Sequence, residues 1–161
     1  FDIFAHNNTE VIIMKLTPKE TSLMKDLKDQ EKLCAEKYAR NASAAHDAQL
    51  KNLFSEISGV EQQHLQTLNQ IESGTVPAPS GNVPAQKAFS ATYTAENCDK
   101  TDDCFLCSDV LAAEKHASAL YDTCIFEFTD ESVRNALNHI QKEEQNHGKD
   151  IYDYMSVNSM Y

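Results

Sequence analysis

Apolar residues recur every three or four positions along four long stretches of the chain, the period of a helix with one buried face. The first runs Leu23, Met24, Leu27, Cys34, Ala35, Tyr38, Ala42, Ala45. It opens at Thr17-Pro18-Lys19-Glu20, where a capping threonine, a first-turn proline and a glutamate three after the cap form a capping box. The second carries Leu50, Leu53, Phe54, Ile57, Val60, Leu68 and Ile71, and the third Leu106, Val110, Leu111, Ala117, Tyr121 and Ile125. The fourth follows the cap signal Thr129-Asp130-Glu131 with Val133, Leu137, Ile140, Ile151 and Tyr154. The pattern predicts helices over about 18–45, 47–73, 102–128 and 130–157.

Between the second and third stretches, residues 74–101 lose the periodicity and begin with GTVPAPSGNVP. That segment is too long for a tight turn but suits a connection running the length of a bundle. The fold class expected is all-α: a four-helix bundle of two antiparallel hairpins joined by a long crossover. Only four glycines and four prolines in 161 residues agree with few, long elements.

Six polar residues interrupt the apolar stripes. Glu31 falls between Leu27 and Cys34, Glu61 and His64 between Ile57 and Leu68, Glu114 between Val110 and Ala117, and Glu144 and His147 between Ile140 and Ile151. Charged groups on a buried face cost several kcal/mol each unless paired or bound to a metal. Glu31 and Glu61 each lie fifteen residues from His46, in the first turn, and Glu114 and Glu144 fifteen from Thr129, in the second. At ~1.5 Å rise per residue all four carboxylates sit roughly 22 Å from their turns, at one height in mid-bundle. The two hairpins also repeat at an offset of 83 residues, which pairs Glu31 with Glu114, Tyr38 with Tyr121, Glu61 with Glu144 and His64 with His147.

In Glu-x-x-His the two side chains are neighbours on one helical face. One such motif on an acidic helix is ordinarily solvated surface. Two in register, each with a level glutamate on the preceding helix, make the constellation that binds a pair of metal ions in helical bundles. Carboxylate oxygens and two imidazoles suit Fe, Mn, Co or Zn. Glu143, beside Glu144, reads as surface charge, because the i, i+3 spacing to His147 and the repeat both select Glu144.

The segments QEKLCAEKY…SGVEQQH and AAEKHASALY…QKEEQNH resemble the two halves of rubrerythrin and its ferritin-like relatives, over residues 20–157. The resemblance implies a ferritin-like four-helix bundle holding two iron ions, with manganese or zinc as alternatives. It makes Glu31 and Glu114 terminal ligands, Glu61 and Glu144 bridging ones, and His64 and His147 one nitrogen for each ion. Tyr38 and Tyr121 would stand behind the ligands, although both could be plain core aromatics. The implied activity is that of an oxidoreductase acting on peroxide or dioxygen, with a separate electron-donor protein; iron binding with ferroxidation is a rival. Two features of rubrerythrin are missing: the rubredoxin domain, and a further glutamate where Ala117 and its repeat partner Cys34 stand. The strings ISGVEQQ, DVLAAEKHASALY and ESVRNAL are similar to the coat-F group of spore-coat proteins, which implies a structural alternative.

A net charge of −11 lacks the basic footprint that nucleic acid or anionic lipid would require, so neither is an expected partner. A homodimer is compatible with the sequence. Residues 1–13 do not read as a signal peptide, and Met14 looks like a natural start, which leaves them as an N-terminal extension that need not be native. The expected location is cytoplasmic, with the spore coat as the alternative. Five cysteines are then reduced. Cys104-x-x-Cys107, with Cys98 just before it, is too few ligands for a thiolate metal site and reads as core or incidental thiols ahead of a redox pair.

Overall fold

The computed structural model describes residues 14–79, 81 and 84–161; the expectation for residues 1–13 lies outside them. Four helices follow in order: α1 (Pro18–Ala44), α2 (Ala48–Glu72), α3 (Cys98–Glu127) and α4 (Glu131–Val157). α1 pairs with α2 and α3 with α4, and the two hairpins pack together as a four-helix bundle. The Thr17–Glu20 capping box is formed as the sequence predicts. Asp47 caps α2 and Asp130 caps α4, each side chain accepting from a first-turn backbone N–H.

α3 is the one helix whose start differs clearly from the pattern. It begins at Cys98 rather than near Asp102, because Asn97 caps it by accepting the Lys100 N–H at 2.8 Å. Its extra turn carries no apolar stripe, so periodicity alone could not reveal it.

Hydrogen bonds at both ends fix how the hairpins meet. At the lower end, the buried Glu20 of α1 accepts from the backbone and hydroxyl of Thr129 in the α3–α4 turn, at 2.9 and 3.0 Å. At the upper end, Asp103 of α3 is fully buried and accepts the backbone N–H groups of His46 and Asp47 in the α1–α2 turn, at 2.8 and 2.9 Å. α1 and α3 therefore run antiparallel, and the crossover must return the full length of the bundle. Its Val76 packs on the lower core, and its Tyr93 donates to Asp103 at 2.6 Å at the top. Thr92 donates to Asp47, and Asn158 accepts both the Thr92 and Tyr93 N–H groups.

Asp103, itself fully buried, thus satisfies two backbone donors and one hydroxyl. Asp103→Ala is expected to lower the unfolding free energy by about 3 kcal/mol or more, since each stranded buried donor costs roughly 1–3 kcal/mol. Urea denaturation measures this; a variant as stable as the wild type would show that Asp103 does not hold the hairpins together.

The apolar core is divided in two. Below lie Met24, Leu27, Leu68, Ile71, Leu137 and Ile140, with Tyr121 at the upper margin. Above lie Leu50, Phe54, Ile57, Val110, Ile151 and Tyr154, together with Tyr38. The layer between them is polar.

Candidate metal centre

All six residues that interrupt the apolar stripes come together in that middle layer, and all are buried. They form two overlapping groups: Glu31, Glu61, His64 and Glu144, and Glu61, Glu114, Glu144 and His147. Within each group one ligand atom from every residue lies within 4.8 Å of the others, and Glu61 and Glu144 belong to both. Each group takes residues from three helices, a consequence of the equal distances from the two turns.

Both imidazoles turn Nδ1 inward. His64 Nδ1 is 3.2 Å from Glu61, 3.1 Å from Glu144 and 3.5 Å from Glu31. His147 Nδ1 comes within 3.3 Å of Glu61 and 3.4 Å of Glu114, without the alignment of a hydrogen bond. The two rings stack with centroids 5.9 Å apart. The tyrosines reach across the hairpins. Tyr38 of α1 donates to Glu114 of α3 from above, and Tyr121 of α3 donates to Glu31 of α1 from below. Each outer glutamate is thereby oriented by a hydroxyl from the other hairpin.

Burial and mutual contact divide the ionisation states. Burial pushes Glu31 up to about 8 and lifts Glu114 well above the ordinary carboxylate range, although a histidine opposes the rise in each case. Burial acts on Glu61 and Glu144 in the same direction, but the close approach of His147 and His64 outweighs it and holds both below that range. For His64, burial disfavours the cation, yet contacts with Glu143, Glu144, Glu31 and Glu61 together raise its pKa well above the usual value. His147 is raised likewise by Glu114, Glu144 and Glu61 against its burial. Without metal, then, two imidazolium ions face two carboxylates while the outer two carboxyls keep their protons.

The donor set fits a pair of cations. Glu31 Oε2, Glu61 Oε1, Glu114 Oε2, both Glu144 oxygens and His147 Nδ1 are buried with no hydrogen-bond partner among the described residues. Buried polar atoms are ordinarily paired. Six orphans converging from five side chains are the arrangement a bound ion would complete.

Residues 102–161 match the profile of the Coat F domain family. No curated protein and no solved structure matches the chain. The Coat F match covers α3 from Asp102, the second turn and all of α4, and so includes Glu114, Glu144 and His147. The unmatched first hairpin repeats the same pattern in Glu31, Glu61 and His64.

Glu143 differs from its reading as surface charge. It is half-buried, and His64 Nε2 donates to it at 2.7 Å, fixing the tautomer that leaves Nδ1 facing the cluster. His139 stands 3.5 Å from the same carboxylate. The repeat could not have selected Glu143, because its partner is Val60. Cys107 is fully buried in the upper core, and burial pushes its thiol up, away from redox reactivity. Cys34 is buried one turn from Glu31, its thiol raised by burial first and by nearby carboxylates second. No helix among the described residues is long and apolar enough to cross a membrane.

Proposed function

We propose that this chain is a dimetal carboxylate protein, with iron ahead of manganese or zinc, and that with iron or manganese bound it acts as an oxidoreductase on peroxide or dioxygen, zinc being a redox-inert occupant. One ion would be held by Glu31, Glu61, His64 and Glu144 and the other by Glu61, Glu114, Glu144 and His147, with Glu61 and Glu144 available to both. The observation that carries this reading is the convergence of buried, unpartnered ligand atoms in two groups with shared members. A pair of redox-active ions, when bound, supplies one electron each to an O–O bond.

The chain's own residues supply the rest. Tyr38 and Tyr121 fix the outer carboxylates, and Glu143 fixes His64. The apolar clusters close the layer off above and below. Reducing one peroxide to two waters takes two electrons and two protons. The electrons would come from a donor protein.

Iron-loaded protein supplied with excess artificial reductant is expected to consume hydrogen peroxide over many turnovers. Oxidation of bound Fe(II) that stops after one turnover would favour ferroxidation instead. No oxidation at all would overturn the oxidoreductase reading and leave metal binding to be judged separately.

The match of residues 102–161 favours a second reading, a structural protein of the spore coat in which the bundle matters more than the metal. Detecting the chain in extracted coat rather than in the cell interior would support it.

A further inference from the structure

The 83-residue repeat supplies an internal control for how the cluster communicates with solvent. At one repeat position a side chain bridges each hairpin to a backbone carbonyl. In the first hairpin Ser58 Oγ donates to the carbonyl of Ala35 at 2.9 Å, and both residues are buried. In the second, Gln141 Nε2 donates to the carbonyl of Ser118, also at 2.9 Å. Glutamine is two bonds longer than serine, roughly 2.5 Å more reach. α3 and α4 approach each other less closely than α1 and α2; the longer side chain spans the difference, and Ser118 and Gln141 are only half-buried.

Between these helices lies a groove of about 550 Å³ whose lining includes Leu111, Glu114, Ser118, Gln141, Glu144 and Gly148. Glu114 and Glu144 belong to that lining, and behind it Glu114 Oε2 and both Glu144 oxygens are buried and unpartnered. Gly148 contributes no side chain to it, and its repeat position holds Leu65. Groove and cluster thus share two ligand residues of the second group.

We propose that the α3–α4 groove is the route by which small oxygen-donor molecules of the size of peroxide reach the cluster, and that the length of Gln141 keeps it open. As a route to a metal pair it rests on the reading above; as a route to the carboxylates it does not. It makes the two ends of the site inequivalent: Glu114 and Glu144 face incoming molecules, whereas Glu31 is screened behind the closed α1–α2 pair.

The test uses the full chain after removal of metal with EDTA. Carboxyls are labelled with a water-soluble carbodiimide and glycine ethyl ester, and the sites are quantified by mass spectrometry. Glu31, the repeat partner of Glu114, is the internal standard. Glu114 is expected to label at least tenfold faster than Glu31 in the wild type. Gly148→Leu fills the groove: a Cβ there meets only the Leu111 side chain, at an ordinary 3.5 Å. Ala119→Leu blocks the same groove from α3. Both introduce a good helix former, so the fold is kept, and both are expected to bring the ratio close to one. A wild-type ratio near one, or a ratio that neither substitution lowers, overturns the proposal. Metal content of the wild-type preparation before EDTA treatment reports independently on the metal reading.

Discussion

Two divalent ions entering the cluster at pH 7 are expected to displace close to four protons from the protein. The number follows from the ionisation pattern of the metal-free layer. Glu31 and Glu114 hold their carboxyl protons, and His64 and His147 are imidazolium, which makes two and two. Glu61 and Glu144 are already ionised and release none. Ligation requires every carboxylate ionised and each imidazole nitrogen free. Four protons leave and four positive charges arrive, so the buried layer stays neutral throughout. Calorimetric titration with Zn(II) in buffers of different ionisation enthalpy counts the protons directly. Release of fewer than about one proton per ion would contradict the pattern.

The same shifts fix how stability depends on pH. A raised group stabilises the fold below its ordinary pKa and loses that contribution as pH climbs through the folded value. Glu31 does so between about 4.5 and 8; Glu114 follows it, and the two histidines do so above 6.5. Glu61 and Glu144 have the opposite sign, contributing above 4.5 and losing it as pH falls. Metal-free protein is therefore expected to be most stable near mildly acidic pH and to weaken by several kcal/mol toward pH 8. With metal bound the trend reverses, because binding tightens as protons become easier to remove. Urea midpoints at pH 5 and pH 8, with and without Zn(II), distinguish the two slopes.

Replacing Glu61 and Glu144 together is expected to remove both ions at once. These two residues belong to both groups, so their loss leaves only Glu31 with His64 and Glu114 with His147. Two protein ligands per ion do not make a stable site for the metals considered. Glu61→Ala with Glu144→Ala should reduce bound metal from two ions per chain to none. Glu61→Gln with Glu144→Gln should do the same with side-chain volume unchanged, which separates loss of charge from loss of packing. The glutamine pair removes the carboxylates that the two imidazolium ions face, so metal-free stability at pH 7 is expected to fall and the histidines to shed their protons at lower pH than in the wild type. Helix content by circular dichroism should be retained in both, because the apolar clusters on either side are untouched.

What the sequence made legible and what it hid have physical causes. The six cluster residues were visible because each breaks an apolar stripe, and because duplication wrote the same exception twice. The level of the layer was visible because helical rise converts residue counts into height. Glu143 was hidden: it touches His64 across the α2–α4 contact, and its repeat partner is an apolar valine. The first turn of α3 was hidden because its start depends on one asparagine cap rather than on periodicity. The pinning of the hairpins by Asp103 was hidden as well. A buried aspartate that serves two backbone N–H groups 56 and 57 residues away has no local signature. The groove depends on serine against glutamine at one repeat position, a difference that reads from sequence as surface polarity alone.

The pairing of ligands in overlapping groups is the claim on which the rest depends, and metal stoichiometry tests it most directly. Purified protein is reconstituted with Fe(II) under anaerobic conditions, freed of excess metal and analysed for iron against protein by elemental analysis, beside the Glu61→Ala, Glu144→Ala double variant. Two ions per chain in the wild type and none in the variant is the predicted result. A wild-type chain that takes up no iron, or a double variant that keeps its iron, would contradict it.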